Sequence, residues 1–526
     1  MEKELKERPL KIIICSLAIL NVIIHLVFSY NLEYHRDELL YFSLGQHPAF
    51  GYATVPPMIG WVAFVMKSIF GYNLFAVRIF PALLSGIMVF LISSMAKELG
   101  GSGYSRILAS VGIIVSGFGL RTFLLFMPVH IELIFWTLLF FLIIKYINTA
   151  QEKFLVLIGI TAGLGLLNKY LIGLLLVLFL VIIPFTRYRT IFSRKKFWYG
   201  ILAGIIIFLP NIIWQILNGM PVINHFTELE RTQLVNVDRA AFLTDQLANP
   251  GAATILTIAG IIFLFISKKV NKFRFLGLVT LGVIITLMLL KGKSYYTQGI
   301  FPLLISAGAV SWDNLLRRTW SGILLLALIV VITLPLLPAG IPVFKTEKLI
   351  SYFKVIKTDF GMDFVCRFED GSIHSLPQDY ADMLGWEELT AITDKAWQMI
   401  PDKNAAFIYC ENYGQAGAIT VIGKKYGLPE AVCFSESFRY WIPRRFNPDI
   451  TSFIYINDEL GEDVRQIFGK ITKIGSISNP DAREFGTTVY LCEEPAGSFN
   501  KFWNSRTKDL IAAFRINKVK LKNKKS

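Results

Sequence analysis

The sequence predicts a polytopic α-helical membrane protein with a smaller α/β domain at its C-terminal end, and three observations carry that expectation. Of the 526 residues, 54% are hydrophobic and 14% aromatic, with a mean hydropathy of +0.53, far more apolar than a soluble chain of this length. Apolar runs approaching the ~20 residues needed to cross a bilayer recur along the chain, separated by short basic clusters. Near Pro342 the pattern changes to mixed polar and apolar, so the domains are expected at 1–340 and 341–526.

Taken in order, about eleven spans emerge at 12–30, 79–95, 107–120, 131–147, 154–167, 171–185, 197–217, 253–266, 275–290, 299–310 and 323–337. The first follows Lys3, Lys6, Arg8 and Lys11, and Phe28, Tyr30 and Asn31 stand where a signal peptide would have small residues. It therefore reads as a retained span. Basic clusters at 97–106, 187–196, 268–274 and Arg317-Arg318 orient the chain with its N-terminus in the cytoplasm. They account for most of the net charge of +15, so nucleic acid is not an expected partner; membrane lipids are. The segment 57–70 reads as a short interfacial helix, because counting it as a span would place the 187–196 cluster outside. Loops 31–78, 121–130, 220–249 and 291–297, and everything after Pro338, then face outward from a multi-pass protein of the cell's inner membrane. Chemistry on that face has no direct access to nucleotide sugars or ATP.

In the extracytoplasmic part, 405–410, 453–456 and 488–492 read as short buried strands, separated by helices at 386–399 and 460–468. Alternating strands and helices imply a small open α/β sheet. The basic tail at 518–525 either touches anionic lipid or has no fixed structure. Cys366, Cys410, Cys433 and Cys492 allow three full disulfide pairings or burial as free thiols. Their spacing gives no zinc motif, and no metal site is expected from them. No internal repeat of the kind found in inverted-repeat transporters stands out.

The residues with chemical potential begin at Arg36-Asp37-Glu38, just beyond the first span. A carboxylate there is near water yet can be shielded by neighbouring helices, which suits a general base. On the residues alone, ordinary loop charge beside an aromatic belt of Tyr30, Tyr34 and Tyr41 is the alternative. Glu132 opens a span and would be costly facing lipid, so it is expected to face the protein interior or a wet cavity. His130 reads as a hydrogen-bonded structural histidine, and His225 with Glu228 to Arg231 as solvated loop charge.

The series Tyr34-His35-Arg36-Asp37-Glu38-Leu39-Leu40-Tyr41, Pro56-Pro57, Phe70-Gly71, Ala76-Val77-Arg78 and Pro81 is similar to the start of the GT-C glycosyltransferases. The branch it resembles includes the protein O-mannosyltransferases and lipid A aminoarabinose transferases. Further matches follow in order: His130-Ile131-Glu132-Leu133-Ile134-Phe135-Trp136, Gly165-Leu166-Leu167-Asn168-Lys169-Tyr170, and Gly292-Lys293-Ser294-Tyr295-Tyr296 before Pro302. In the outer domain, Met383-Leu384-Gly385-Trp386-Glu387-Glu388, Asn412-Tyr413-Gly414-Gln415-Ala416-Gly417-Ala418 and Tyr426-Gly427-Leu428-Pro429 resemble the C-terminal domain of prokaryotic members of the same branch.

The resemblance implies the GT-C membrane fold and an inverting transfer of a sugar from a polyprenyl-phosphate donor to an envelope acceptor, which the sequence leaves as a glycan, lipid or protein. It maps the essential Asp onto Asp37, with Glu38 and Glu132 orienting that base or the acceptor. The leaving lipid phosphate calls for cations and hydrogen-bond donors. Lys169, Arg231, Lys291 and Lys293 are the outward candidates, joined by Tyr295 and Tyr296. One departure stands out: many relatives carry Lys before the Pro-Pro pair, where this chain has Val55. No metal ligand set is expected, and a divalent cation at the phosphate is left open as a cofactor. A lipid-linked sugar transporter or flippase, and an inactive glycan-binding relative, are the alternatives.

Overall fold

The computed structural model describes residues 7–316 and 318–508. Lys3, Lys6, Arg317 and the tail at 518–525 lie outside the described residues. The chain divides into two compact units that do not follow chain order: one comprises Met1–Ser29, Arg78–Ile212 and Phe226–Phe344, the other Tyr30–Val77, Ile213–His225 and Lys345–Ser526.

The first unit is helical, and the apolar runs of the sequence fall on its helices. Among the described residues six helices are long and apolar enough to cross a membrane, or eight if two sharply bent pairs each form one span. The six are Glu7–Asn31, Leu74–Glu98, Pro128–Thr149, Lys195–Leu217, Lys268–Leu289 and Thr319–Gly340. Gly103–Ile114 and Lys153–Asn168 are apolar but shorter. The chain is a multi-pass membrane protein. In the first helix, Leu10, Ile14 and Ala18 are buried at helical spacing while Ile12, Ile19, Ile23 and Val27 are exposed, the division a helix needs between protein neighbours and lipid. The core of this unit gathers Trp136, Phe140, Leu256, Phe301 and Leu304.

The second unit centres on a four-stranded sheet of order β1-β2-β4-β3, where β1 is Ala406–Cys410, β2 Ser452–Asn457, β3 Phe468–Ser476 and β4 Thr488–Pro495. β1 and β2 are parallel, and the other pairings are antiparallel. Phe407, Tyr409, Phe453, Tyr455 and Cys492 point to one face and pack with Phe499 and Trp503. Helix Trp386–Gln398 lies against β2, β3 and β4, and helix Tyr413–Val421 against β1. The cysteines of this unit are buried free thiols.

The same unit holds two short helices from the loop after the first span, Arg36–Leu44 and Met58–Phe70. The second has 13 residues, about 20 Å of helix, too short to span. Phe64, Val65, Ile69 and Phe70 leave it with an exposed apolar face.

Candidate functional site

Helix Arg36–Leu44 starts with a capping box. His35 is the N-cap: its Nδ1 accepts the Asp37 N–H at 3.0 Å, and its own N–H donates to Glu38 Oε2 at 2.9 Å. Glu38 is thus fully buried and engaged in holding the helix start. Asp37 sits in the first helical turn, where the unpaired backbone N–H groups and the helix dipole favour a negative charge.

Helix Tyr413–Val421 lies directly on this element. Its Tyr413 hydroxyl donates to Asp37 Oδ1 at 2.9 Å, and no described residue hydrogen-bonds Oδ2. Burial, then the adjoining Asp37 charge, push the Tyr413 hydroxyl far above the ordinary phenol range, so it remains a donor. The Arg36 guanidinium lies 4.4 Å from the centre of the Tyr413 ring and 3.8 Å from Glu484. Burial works against the charge on Arg36, but Tyr413, Glu484, Asp382 and Asp37 outweigh it and raise its affinity for the proton. Glu484 is held in turn by Asn412 Nδ2 at 3.0 Å and Gln415 Nε2 at 2.9 Å.

Such close packing requires small residues. A Cβ on Gly417 would lie 2.8 Å from Leu39 Cβ and 2.9 Å from its carbonyl carbon, and one on Gly414 would lie 2.7 Å from Arg36 Cγ. The segment Asn412 to Ala418 is therefore the surface on which the Asp37 helix rests, with its own start capped by Asn412 and Gln415.

A second centre forms within the helical unit. Lys169 ends helix Lys153–Asn168 in extended conformation, and its Nζ reaches Glu132 Oε2 at 2.9 Å. The same ammonium stands 5.5 Å from the Tyr295 ring centre and 5.0 Å from that of Tyr296. Asn168 Nδ2 donates to Pro128 O at 2.9 Å, tying that helix end to the start of the helix carrying Glu132. Gly299 completes the junction: a Cβ there would lie 2.3 Å from Trp136, one turn beyond Glu132. Glu132 Oε1 is buried with no hydrogen-bond partner among the described residues.

The structure thus brings together Glu132, Lys169, Tyr295 and Tyr296. Lys293 is half-buried at the start of the 3₁₀ helix Ser294–Ile300 that carries both tyrosines. Arg231 is exposed in the last turn of Pro221–Thr232, and no described contact joins it to that group. Val55 uses its carbonyl to accept the Tyr52 N–H at 3.1 Å, and its side chain carries no charge to hold an anion. His130 Nδ1 lies 3.1 Å from Leu125 O. Among the described residues no three His, Cys, Asp or Glu side chains are grouped to hold a metal ion. Tyr413, Glu484 and Asn168 are the members sequence reasoning did not select. The Asn412–Gln415 capping pattern was the available signal for the first two, and the Asn-Lys pair for the third.

Residues 54–214 match the family model described as dolichyl-phosphate-mannose-protein mannosyltransferase. Two curated proteins of Rhizobium johnstonii are similar over a comparable stretch. The lipid A galacturonosyltransferase RgtD is 21% identical over 204 residues, covering 38% of this chain and 41% of its own length. The lipopolysaccharide core galacturonosyltransferase RgtA is 24% identical over 218 residues, covering 39% and 41%. The chain thus spans about two fifths of the length of these relatives. The fold is similar to that of ArnT from Cupriavidus metallidurans in the apo state, with a TM-score of 0.61 at 13% identity over 90% of this chain and 97% of ArnT. The same protein bound to undecaprenyl phosphate gives a TM-score of 0.58 at 12% identity, with the same coverage.

Proposed function

We propose that the chain is a GT-C family member, a membrane glycosyltransferase that moves a sugar from a polyprenyl-phosphate donor to an envelope acceptor on the outer face of the inner membrane. The observation that carries this is Asp37: a carboxylate at a helix start, with Oδ1 held by Tyr413 and Oδ2 without a hydrogen-bond partner among the described residues. Asp37 accepts the proton of the acceptor's hydroxyl or amine as it attacks the anomeric carbon. The C–O bond to the lipid phosphate breaks on the opposite face, inverting the configuration, and the phosphate leaves with the bonding pair.

A phosphate leaving group needs positive charge rather than a proton donor. Lys169, steadied by Glu132 and the two tyrosine faces, is assigned that task, with Lys293 and the phenols beside it. Arg231 is kept as an outer-loop cation for the donor. Glu38 serves Asp37 by fixing the helix start. The undecaprenyl phosphate named with the ArnT structure supports a polyprenyl-phosphate donor. No step is assigned to a divalent cation: among the described residues, the carboxylate beside Lys169 is already paired with it. The proposed topology keeps the N-terminus cytoplasmic and residues 341–526 extracytoplasmic, with 1–340 as the transferase domain.

The test is transfer from a polyprenyl-phosphate sugar to envelope glycolipid in reconstituted membranes. Asp37→Asn is expected to abolish product while leaving thermal unfolding unchanged. Undiminished turnover by that variant refutes the assignment.

A further inference from the structure

The second unit contains a cavity of about 490 Å³ that the proposed chemistry leaves unused. Its size lies within the range of small-molecule sites, roughly 300–1,000 Å³. Its lining combines residues with polar groups, Asn31, Tyr34 and Tyr72, with the apolar Leu384 and Ile422. Sugar rings present that same mixture, with apolar C–H faces that lie on aromatic rings and hydroxyls that need polar partners at the edge.

Charge narrows the ligand further. Glu33 and Glu387 line the cavity against one cation, Lys425, which is already ion-paired with Glu387. Glu33 is fixed from behind, accepting the Glu387 N–H at 2.9 Å and the Gly385 N–H at 3.4 Å. With its one cation already paired, the lining offers no free positive charge to a phosphate or a uronate and accepts an uncharged or amino-bearing ring.

Position supplies the last constraint. Tyr30 and Asn31, which belong to this wall, also close the first candidate span, Glu7–Asn31. Tyr34 is three residues before Asp37, at most about 10 Å along the chain.

We propose that this cavity is the acceptor subsite, holding an uncharged or amino-bearing saccharide unit of a membrane-anchored glycan beside the loop that leads to Asp37. The assignment of the ligand as acceptor rests on the transferase reading above; the binding itself does not. The test uses the full chain in lipid nanodiscs, free of sugar detergents, with ligand-observed NMR on three probes: chitotriose, its de-acetylated amino form and trigalacturonate. Binding of the first two and at least tenfold weaker binding of trigalacturonate is expected for wild type and Asp37→Asn alike. Thr346→Trp, which fills the cavity from the start of a surface helix, and Tyr72→Leu are each expected to weaken chitotriose at least tenfold. No saturation transfer to any probe, equal binding of trigalacturonate, or unchanged binding in a folded Thr346→Trp overturns the proposal. Loss of transfer by Asp37→Asn bears only on the catalytic assignment, so the two failures are distinguishable.

Discussion

Replacing Tyr413 by Phe removes one hydroxyl and keeps the ring on which Arg36 rests at 4.4 Å. What is lost is the 2.9 Å bond to Asp37 Oδ1. A hydrogen bond to a charged group contributes about 1.5–3 kcal/mol, and water can replace part of it because Asp37 is only half-buried. The lower end applies, about 1.5 kcal/mol, which is about tenfold in rate. The bond orients the proposed base rather than the donor, so the loss is expected in kcat with the donor KM unchanged. The assay is initial-rate transfer from a polyprenyl-phosphate sugar in reconstituted membranes, with thermal unfolding measured alongside. Tyr413→Ala is expected to lose more, because it also deletes buried ring packing worth roughly 3 kcal/mol. If Tyr413→Phe keeps kcat within about twofold of wild type, or raises only the donor KM, the positioning role of this tyrosine is wrong.

Lys169→Met leaves the Glu132 carboxylate, 8% exposed, without its partner; a loss of about 3–5 kcal/mol in stability is expected, and Glu132→Gln added to it should restore most of the melting temperature. In that refolded double variant the donor KM should remain raised roughly tenfold, and an unchanged KM removes Lys169 from phosphate binding. Gly417→Ala puts a methyl group 2.8 Å from Leu39 Cβ, so a loss of roughly 1–3 kcal/mol together with reduced kcat is expected; a neutral effect on both would mean that the Asp37 helix does not depend on this contact. Burial raises the Glu33 carboxyl above its ordinary value of 4.5, against the opposing pull of the Glu387 and Gly385 N–H groups. The folded state therefore binds more protons than the unfolded, and this group's stabilising share is full below the unfolded value and lost as pH rises through the raised one. Thermal melts from pH 4 upward should show wild type losing stability relative to Glu33→Gln, and a difference that does not change with pH refutes this.

What sequence could and could not convey divides by the range of the contact. Asp37 stands out in a short acidic motif, and the Glu132, Lys169 and Tyr295-Tyr296 motifs were visible one by one. Their convergence through Asn168 and Gly299 is set by helix packing across more than a hundred positions, for which local spacing has no signal. Strand β3 was missed for a different reason: as an edge strand it carries exposed Lys470 and Lys473, the charges that keep an edge from pairing further, and these blur the apolar alternation. The run at 107–120 was read as one span, yet Ser116 caps a new helix by accepting the Gly119 N–H at 3.1 Å, a polar signal hidden inside apolar neighbours. Tyr413 is the deepest case. The capping pattern around Asn412 announced a helix start, and helix starts suggest anion binding. Here the anion is supplied by the protein itself: Glu484 takes the amides of Asn412 and Gln415, and Asp37 takes the phenol. This helix start supports a proposed base 376 positions away, and on that reading variants confined to the C-terminal segment are expected to alter kcat.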